Sequence, residues 1–155
     1  DTDFTFPSQL SVGAGIGKPK KWFVGLEYVN QKISNLTNRT FELENITYTD
    51  ATKYKIGGFY IPQYNSLTSY YKRIVYRAGI RFEETGINLN GQDINEFGIS
   101  FGVGIPVGRL FSNVNVGFEI GKRGTTDFGL IQENFFNTFI SLSFNDRWFD
   151  KRYLD

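Results

Sequence analysis

The feature that most constrains the fold is a strict alternation of side chains in residues 133–145, ENFFNTFISLSFN. Every second residue from Phe136 to Phe144 is apolar or threonine, and the residues between them are polar except Phe139. Because successive strand side chains point to opposite faces, this pattern predicts a β-strand. Its length suits the roughly 9–11 residues that cross a bilayer at a tilt. A lipid-facing apolar side and a polar lumen side are typical of outer-membrane β-barrel strands.

The same alternation recurs along the chain and predicts an all-β, antiparallel, up-and-down transmembrane β-barrel segment that occupies residues 1–155 as one domain. We expect about seven strands, the last being the stretch above. The other six are residues 9–17, 22–31, 53–61, 74–84, 96–107 and 114–122. Residues 34–52, 85–93 and 124–132 are predicted to be longer loops, and residues 18–21, 62–72 and 108–113 shorter connections. With a periplasmic C-terminus, the shorter connections would face the periplasm.

Charged residues fall on the glycine-rich side of the predicted strands, and we expect them to face the lumen, either as a polar passage or as a salt-bridged filling. These lumen candidates are Glu27, Lys55, Arg77, Arg81, Glu83, Glu96 and Glu119. The opposite side is expected to face lipid, with aromatic residues near the strand ends as in membrane girdles. These lipid-facing or girdle candidates are Trp22, Leu26, Tyr28, Tyr76, Phe82, Ile99, Phe101, Phe118, Phe136, Ile140, Leu142 and Phe144.

A soluble ligand-binding barrel would show the same periodicity with its apolar side turned inward. The membrane interpretation is favoured because glycine weakens a solvated strand but relieves crowding in a barrel interior. Aromatic residues near strand ends favour it as well. The N-x-T sequons at Asn35, Asn38 and Asn45 would suit a glycosylated secreted protein, although chance in an Asn/Thr-rich loop explains them better.

Composition argues against several functional classes. The chain contains no Cys and no His, which removes disulfides, thiolate metal sites and His-based catalysis, so we expect neither an enzyme nor a cofactor. A formal net charge of +1 gives no indication of nucleic-acid binding. The sequence GAGIGKPK at residues 13–20 lacks the spacing of a phosphate-binding loop, and no helix follows it. The opening DTD carries no export signal, so we expect a mature chain or a fragment.

Several segments resemble the C-terminal half of FadL/OmpP1/TodX-type outer-membrane proteins of Bacteroidetes. They are FPSQLSVGAGIGKPKKWFVGLEY, YKIGGFYIPQYNSLTSYYKRIVYRAGIRF, FGISFGVGIPVGRLFSNVNVGFEIGKRG and ENFFNTFISLSFNDRWFDKRYLD. The resemblance implies one half of a 14-stranded barrel that carries fatty acids or aromatic hydrocarbons across the outer membrane. It names no ligand-binding residue in this chain.

Two functional hypotheses follow for an integral outer-membrane protein. The first is a FadL-like uptake channel with a hydrophobic solute as its partner. The second is a structural or accessory barrel subunit of a larger outer-membrane complex with no transport role. Seven strands would leave unpaired edges in lipid, where unsatisfied backbone groups are costly. We therefore expect membrane lipid as a partner, together with the remaining half of the barrel or other outer-membrane proteins.

Overall fold

A computed structural model describes residues 7–35, 46–107 and 112–143, and most of these residues belong to one antiparallel sheet. The strands are β1 (Gln9–Lys18), β2 (Trp22–Gln31), β3 (Ile46–Tyr48), β4 (Ala51–Tyr60), β5 (Val75–Leu89), β6 (Gln92–Val107), β7 (Ser112–Arg123) and β8 (Glu133–Ser143). Short 3-10 helices occupy Ile33–Asn35, Tyr70–Arg73 and Asp127–Gly129. Alternation of apolar and polar residues at period two explains why these segments are strands.

The strand order is β1-β2-β4-β5-β6-β7-β8, and every neighbouring pair is antiparallel. This arrangement confirms the predicted all-β, up-and-down architecture. The sheet is open, because in the described ranges β1 pairs only with β2 and β8 pairs only with β7. The structure therefore shows an open sheet, and the predicted closure into a barrel is not confirmed.

The described residues form eight strands rather than seven, because β3 lies inside the segment 34–52 that was predicted to be a loop. The prediction of a loop at 85–93 was also wrong. There β5 and β6 continue into a tight hairpin in which Asn90 and Gly91 both have positive φ, 53° and 80°. Two consecutive positive φ values define the type I′ turn that matches strand twist. Sequons Asn38 and Asn45 lie outside the described residues.

Gly86 marks a register shift between Glu84 and Asn88, where the β5–β6 hairpin extends beyond the rest of the sheet and β3 joins it. Its φ is +72°, and its carbonyl accepts a hydrogen bond from the Thr49 amide at 2.8 Å. A Cβ at this position would lie 2.4 Å from the Thr49 carbonyl oxygen. Glycine is needed here for two reasons, the left-handed backbone and the close approach of β3.

We predict that Gly86→Ala destabilises the protein by roughly 1–3 kcal/mol, because it adds a steric contact to a left-handed conformation. Gly91→Ala is the matched control: its φ is +80°, but no atom lies within 4 Å of the added Cβ. The free energy of unfolding, from denaturant titration in detergent micelles, should fall more for Gly86→Ala. Equal losses would show that contact with β3 contributes nothing.

Candidate functional site: two faces and two open edges

The apolar face of the sheet is a continuous exposed surface. Strand register aligns one aliphatic row that crosses the sheet and ends on an aromatic ring: Leu26, Ile56, Ile80, Ile99, Ile120 and Phe136. Most of these side chains are exposed, from 48% for Ile120 to 67% for Phe136. Patches of this size on a water-soluble monomer are unusual and mark interaction surfaces.

Aromatic residues form a second row on each side of the aliphatic one. Tyr28, Tyr54 and Phe82 are adjacent through the register, with ring centroids 5.3 Å and 6.5 Å apart. Trp22, Tyr60 and Tyr76 align in the same way nearer the other strand ends. On β2 the two rows are six residues apart, or about 20 Å along the strand. This spacing is comparable to the apolar band between aromatic girdles, which is about 25 Å tall.

All lipid-facing candidates within the described residues lie on this one face. Two of them, Tyr28 and Ile99, are half-buried, and the others are exposed. Phe136 aligns with the aliphatic row rather than with either aromatic row. Phe144 lies outside the described residues. The charges are not confined to the opposite face, since Lys18, Glu84 and Lys122 share the apolar face near strand ends or at the β5 bulge.

A depression of about 770 Å³ lies on the apolar face. Its floor is formed by Gly58 and Ala78, which are paired in register. The walls are larger apolar side chains, among them Tyr60, Tyr76 and Phe101. Such a surface can accommodate a protruding apolar group, and Arg77, which belongs to the charged face, is also among its lining residues.

The charged face brings the seven predicted lumen candidates onto one side of the sheet, where most of them form ion pairs. Arg81 on β5 contacts three carboxylates, at 3.0 Å for Glu83, 2.6 Å for Glu96 and 2.8 Å for Glu119. Glu27 and Lys55 form a separate pair at 3.1 Å, and Arg77 donates to the Asn115 side chain at 2.9 Å. Glu96 is therefore paired by Arg81 and not by Arg77.

Glu96 is the most enclosed of these groups, with only 4% of its side chain exposed. It lies between Arg81 and Arg123, whose guanidinium is 2.5 Å away. Arg123 was missed in the sequence because the predicted strand ended at residue 122, and only the β6–β7 register places it opposite Glu96. Lys53, which contacts Glu83 at 2.9 Å, lies on the charged side of the alternating pattern of its strand but is not among the predicted lumen candidates.

The glycines of the charged face provide room for these long side chains to lie flat on the sheet. A Cβ at Gly98 would lie 2.5 Å from the Glu119 carboxylate, and one at Gly104 would lie 2.9 Å from the Arg77 guanidinium. Gly25 is covered in the same way by the ring of Phe23. Large side chains over strand glycines restore the packing that glycine itself lacks.

The connected ion-pair network is electrically balanced. It contains the cations Lys53, Arg81 and Arg123 and the carboxylates Glu83, Glu96 and Glu119, which is three of each sign. Buried charges require such pairing, because an uncompensated ion in a poorly solvated site is costly. The charges of this network are therefore matched within the described residues.

We predict that Arg81→Met lowers the free energy of unfolding by roughly 3–5 kcal/mol, because it leaves the enclosed Glu96 short of a partner. Arg77→Met is the control, since it removes an arginine of the same strand that bonds an amide, and should cost about 0.5–1.5 kcal/mol. Denaturant titration of both variants in detergent micelles gives the comparison. Similar losses would contradict a stabilising role for the Arg81 ion pairs.

The two sheet edges are the remaining unusual feature. All ten residues of β1 are exposed, and ten of the eleven residues of β8 are exposed. Within the part of the chain that the structure describes, neither strand has a second neighbour. None of the helices described there is long and apolar enough to cross a membrane.

The comparison with protein families decides which kind of protein has this surface. A family model described as BamG matches residues 1–155. The chain belongs to the BamG family. No curated protein and no solved structure matches it at the significance required.

BamG membership corrects the sequence-based recognition. The resemblance to FadL/OmpP1/TodX proteins is wrong as a family assignment, and the uptake channel and its hydrophobic solute lose their support with it. The expectation that this chain forms one half of a 14-stranded barrel rested on the same resemblance. The physical reason is that alternation, glycine and aromatic residues are what the environment requires of any outer-membrane strand.

BamG membership does support the coarser expectations of outer-membrane association and of other outer-membrane proteins as partners. The periplasmic C-terminus remains a prediction, since residues 144–155 lie outside those that the structure describes. The lumen and lipid assignments of the two faces likewise remain predictions.

Proposed function

We propose that this BamG-family chain is an accessory subunit of the Bam complex that supports outer-membrane protein assembly and has no transport role. The observation that carries the proposal is an exposed apolar face on an antiparallel sheet in a chain of this family. Exposed apolar patches mark surfaces that contact membranes or other proteins.

The apolar face supports a location within the membrane. Its exposed aliphatic row, exemplified by Leu26 at 59% and Ile80 at 50% exposure, would be costly in water but not in lipid. The flanking aromatic rows suit the two interfaces, where amphipathic rings are favoured. Membrane lipid is therefore one partner of this face, and a neighbouring protein that contributes apolar groups is another.

The charged face supports a structural role. Arg81 and Glu96 are held by partners within the chain, so they are not available to recognise a solute. The chain has no His or Cys, and four of the nine carboxylates among the described residues are paired with cations. An accessory role requires no reactive group, whereas catalysis would.

Co-purification tests the proposal directly. A tagged chain extracted from outer membranes in mild detergent should be recovered together with the Bam complex. Deletion of the gene should reduce the amounts of other outer-membrane β-barrel proteins, and a plasmid copy should restore them. Uptake of a labelled fatty acid by the deletion strain should be unchanged. Recovery of the chain alone, with normal amounts of the other proteins, would contradict the proposal.

Arginine substitutions test which face meets lipid. Leu26→Arg and Ile99→Arg should each destabilise the assembled protein by roughly 2–4 kcal/mol, because a cation is placed at membrane depth. Asn137→Arg is the control, because Asn137 is exposed on the charged face opposite Glu119. Membrane-inserted protein is measured by protease resistance after outer-membrane extraction. Normal insertion of both face variants would mean that the apolar face does not contact lipid.

A further inference from the structure

The two ends of the sheet differ in charge. At the end where β1 turns into β2 and β4 is connected to β5, residues 18–22 and 60–75 contain five cations and no carboxylate. At the opposite end, residues 83–95 and 122–133 contain both carboxylates and cations. We call the first end the basic rim, and its cations are Lys18, Lys20, Lys21, Lys72 and Arg73.

Hydrogen bonds join the segments that form the basic rim. The Ile61 amide donates to the Lys21 carbonyl at 2.7 Å, which ties the connection between β4 and β5 to the β1–β2 turn. Farther along the same connection, the Tyr70 hydroxyl donates to the Pro106 carbonyl near the end of β6. Cations from two separate segments are therefore held along one border of the sheet.

The charges of the basic rim are not neutralised within the described residues. None of its five cations forms an ion pair there, in contrast to the arginines of the charged network. Lys20 and Arg73 instead lie over the rings of Tyr64 and Tyr70, each 5.0 Å from the ring centroid. The Nε atom of Arg73 is buried and has no hydrogen-bond partner among these residues. The rim therefore carries an unbalanced positive charge, which attracts anions.

The basic rim lies at the level of one aromatic row of the apolar face. Register aligns Lys18 with Trp22, Tyr60 and Tyr76. Rings of this kind settle at the headgroup level of a bilayer, where Lys side chains also place their charge. With the apolar face in lipid, the cations of the rim are thus at the depth of lipid phosphate groups.

The depression of the apolar face adjoins the same aromatic row. Its floor pair, Gly58 and Ala78, lies two residues from Tyr60 and Tyr76 along their strands, about 7 Å. A Cβ at Gly58 would lie 2.2 Å from the Phe23 carbonyl oxygen, so glycine is required there and the floor stays low. A lipid chain that extends inward from the headgroup level meets this apolar depression directly.

We propose that the basic rim and the adjoining depression bind an anionic phospholipid. The rim cations hold its phosphate group, and one of its acyl chains lies over Gly58 and Ala78. Charge complementarity selects this occupant, because a zwitterionic lipid would fill the depression equally well but would gain less from unpaired cations. The inference rests on the membrane location proposed for the apolar face and does not depend on the accessory role.

The fluorescence of Trp22, which lies in the aromatic row at the rim, measures lipid selectivity. Protein extracted from outer membranes is reconstituted into phosphatidylcholine vesicles that contain increasing fractions of dibrominated phosphatidylglycerol or dibrominated phosphatidylcholine. Bromine quenches tryptophan on contact, and the quenching that is lost in Trp22→Phe is assigned to Trp22. The binding constant for phosphatidylglycerol relative to phosphatidylcholine should be roughly fivefold or more at low salt. It should decrease at high salt, where exposed charges are screened.

The double variant Lys18→Gln/Lys20→Gln tests the rim cations. Both lysines are exposed, and their removal should bring the relative binding constant close to one, because the attraction for the phosphate group is lost. Lys32→Gln is the matched control, since Lys32 is also exposed but follows β2 at the opposite end of the sheet. It should keep the preference of the unchanged protein. A preference that persists in the double variant would overturn the proposal.

Ala78→Phe tests the depression, because the added ring fills the space above Gly58. It should lower the preference for phosphatidylglycerol, since the lipid can no longer place its chain there while its phosphate group is on the rim. Ala14→Phe is the control: it adds the same ring at an exposed position of the apolar face on β1, outside the depression. Equal preferences in the two variants would show that the depression is not part of the site.

These outcomes separate the inference from the proposed function. If both brominated lipids quench Trp22 equally, the lipid site fails and the membrane location of the apolar face stands. If neither lipid quenches Trp22, the lipid site and the membrane location both fail. Co-purification with the Bam complex is measured independently, so the accessory role can stand or fail in either case.

Discussion

Backbone hydrogen bonding at the sheet edges is the constraint on which the rest of this structure depends. In a bilayer an unsatisfied N–H or C=O group has no water to bond, so every strand needs a partner on both sides. Five of the seven strands in the main path meet this requirement within the described residues, and β1 and β8 do not. With the apolar face in lipid, as proposed above, both edges need further strands.

The two faces of the sheet differ in how far their side chains are buried. On the charged face, glycines let Arg77 and Glu119 lie close to the backbone, and the carboxylates of Glu96 and Glu119 are largely covered by their partners. On the other face, side chains such as Ile56 and Ile140 project outward and stay exposed. Several charged groups are therefore more buried than many aliphatic side chains, which is the reverse of a water-soluble protein. The reason is that charges are paired within the chain while the apolar side chains remain exposed.

Most of the sheet could be predicted because period-two alternation reports directly on strands whose two faces meet different environments. The prediction failed where that signal is weak. Strand β3 has three residues, and the β5–β6 extension is held by polar pairs such as Asn88 with Asp93. Arg123 was missed because its role depends on register across β6 and β7, which single-strand periodicity does not contain. The alternation that identified the strands could not identify the family, because outer-membrane strands of different families share the same pattern of side chains.

Strand parity limits how this sheet can be completed. The hydrogen-bonded path from β1 to β8 has seven strands, each antiparallel to the next, so β1 and β8 run in the same direction. Any fully antiparallel completion of the sheet therefore needs an odd number of additional strands between them. A strand that pairs with either edge satisfies backbone groups that would otherwise lack a partner in lipid. Seven strands cannot close on themselves with antiparallel pairing throughout, so in a membrane the described sheet needs further strands at both edges.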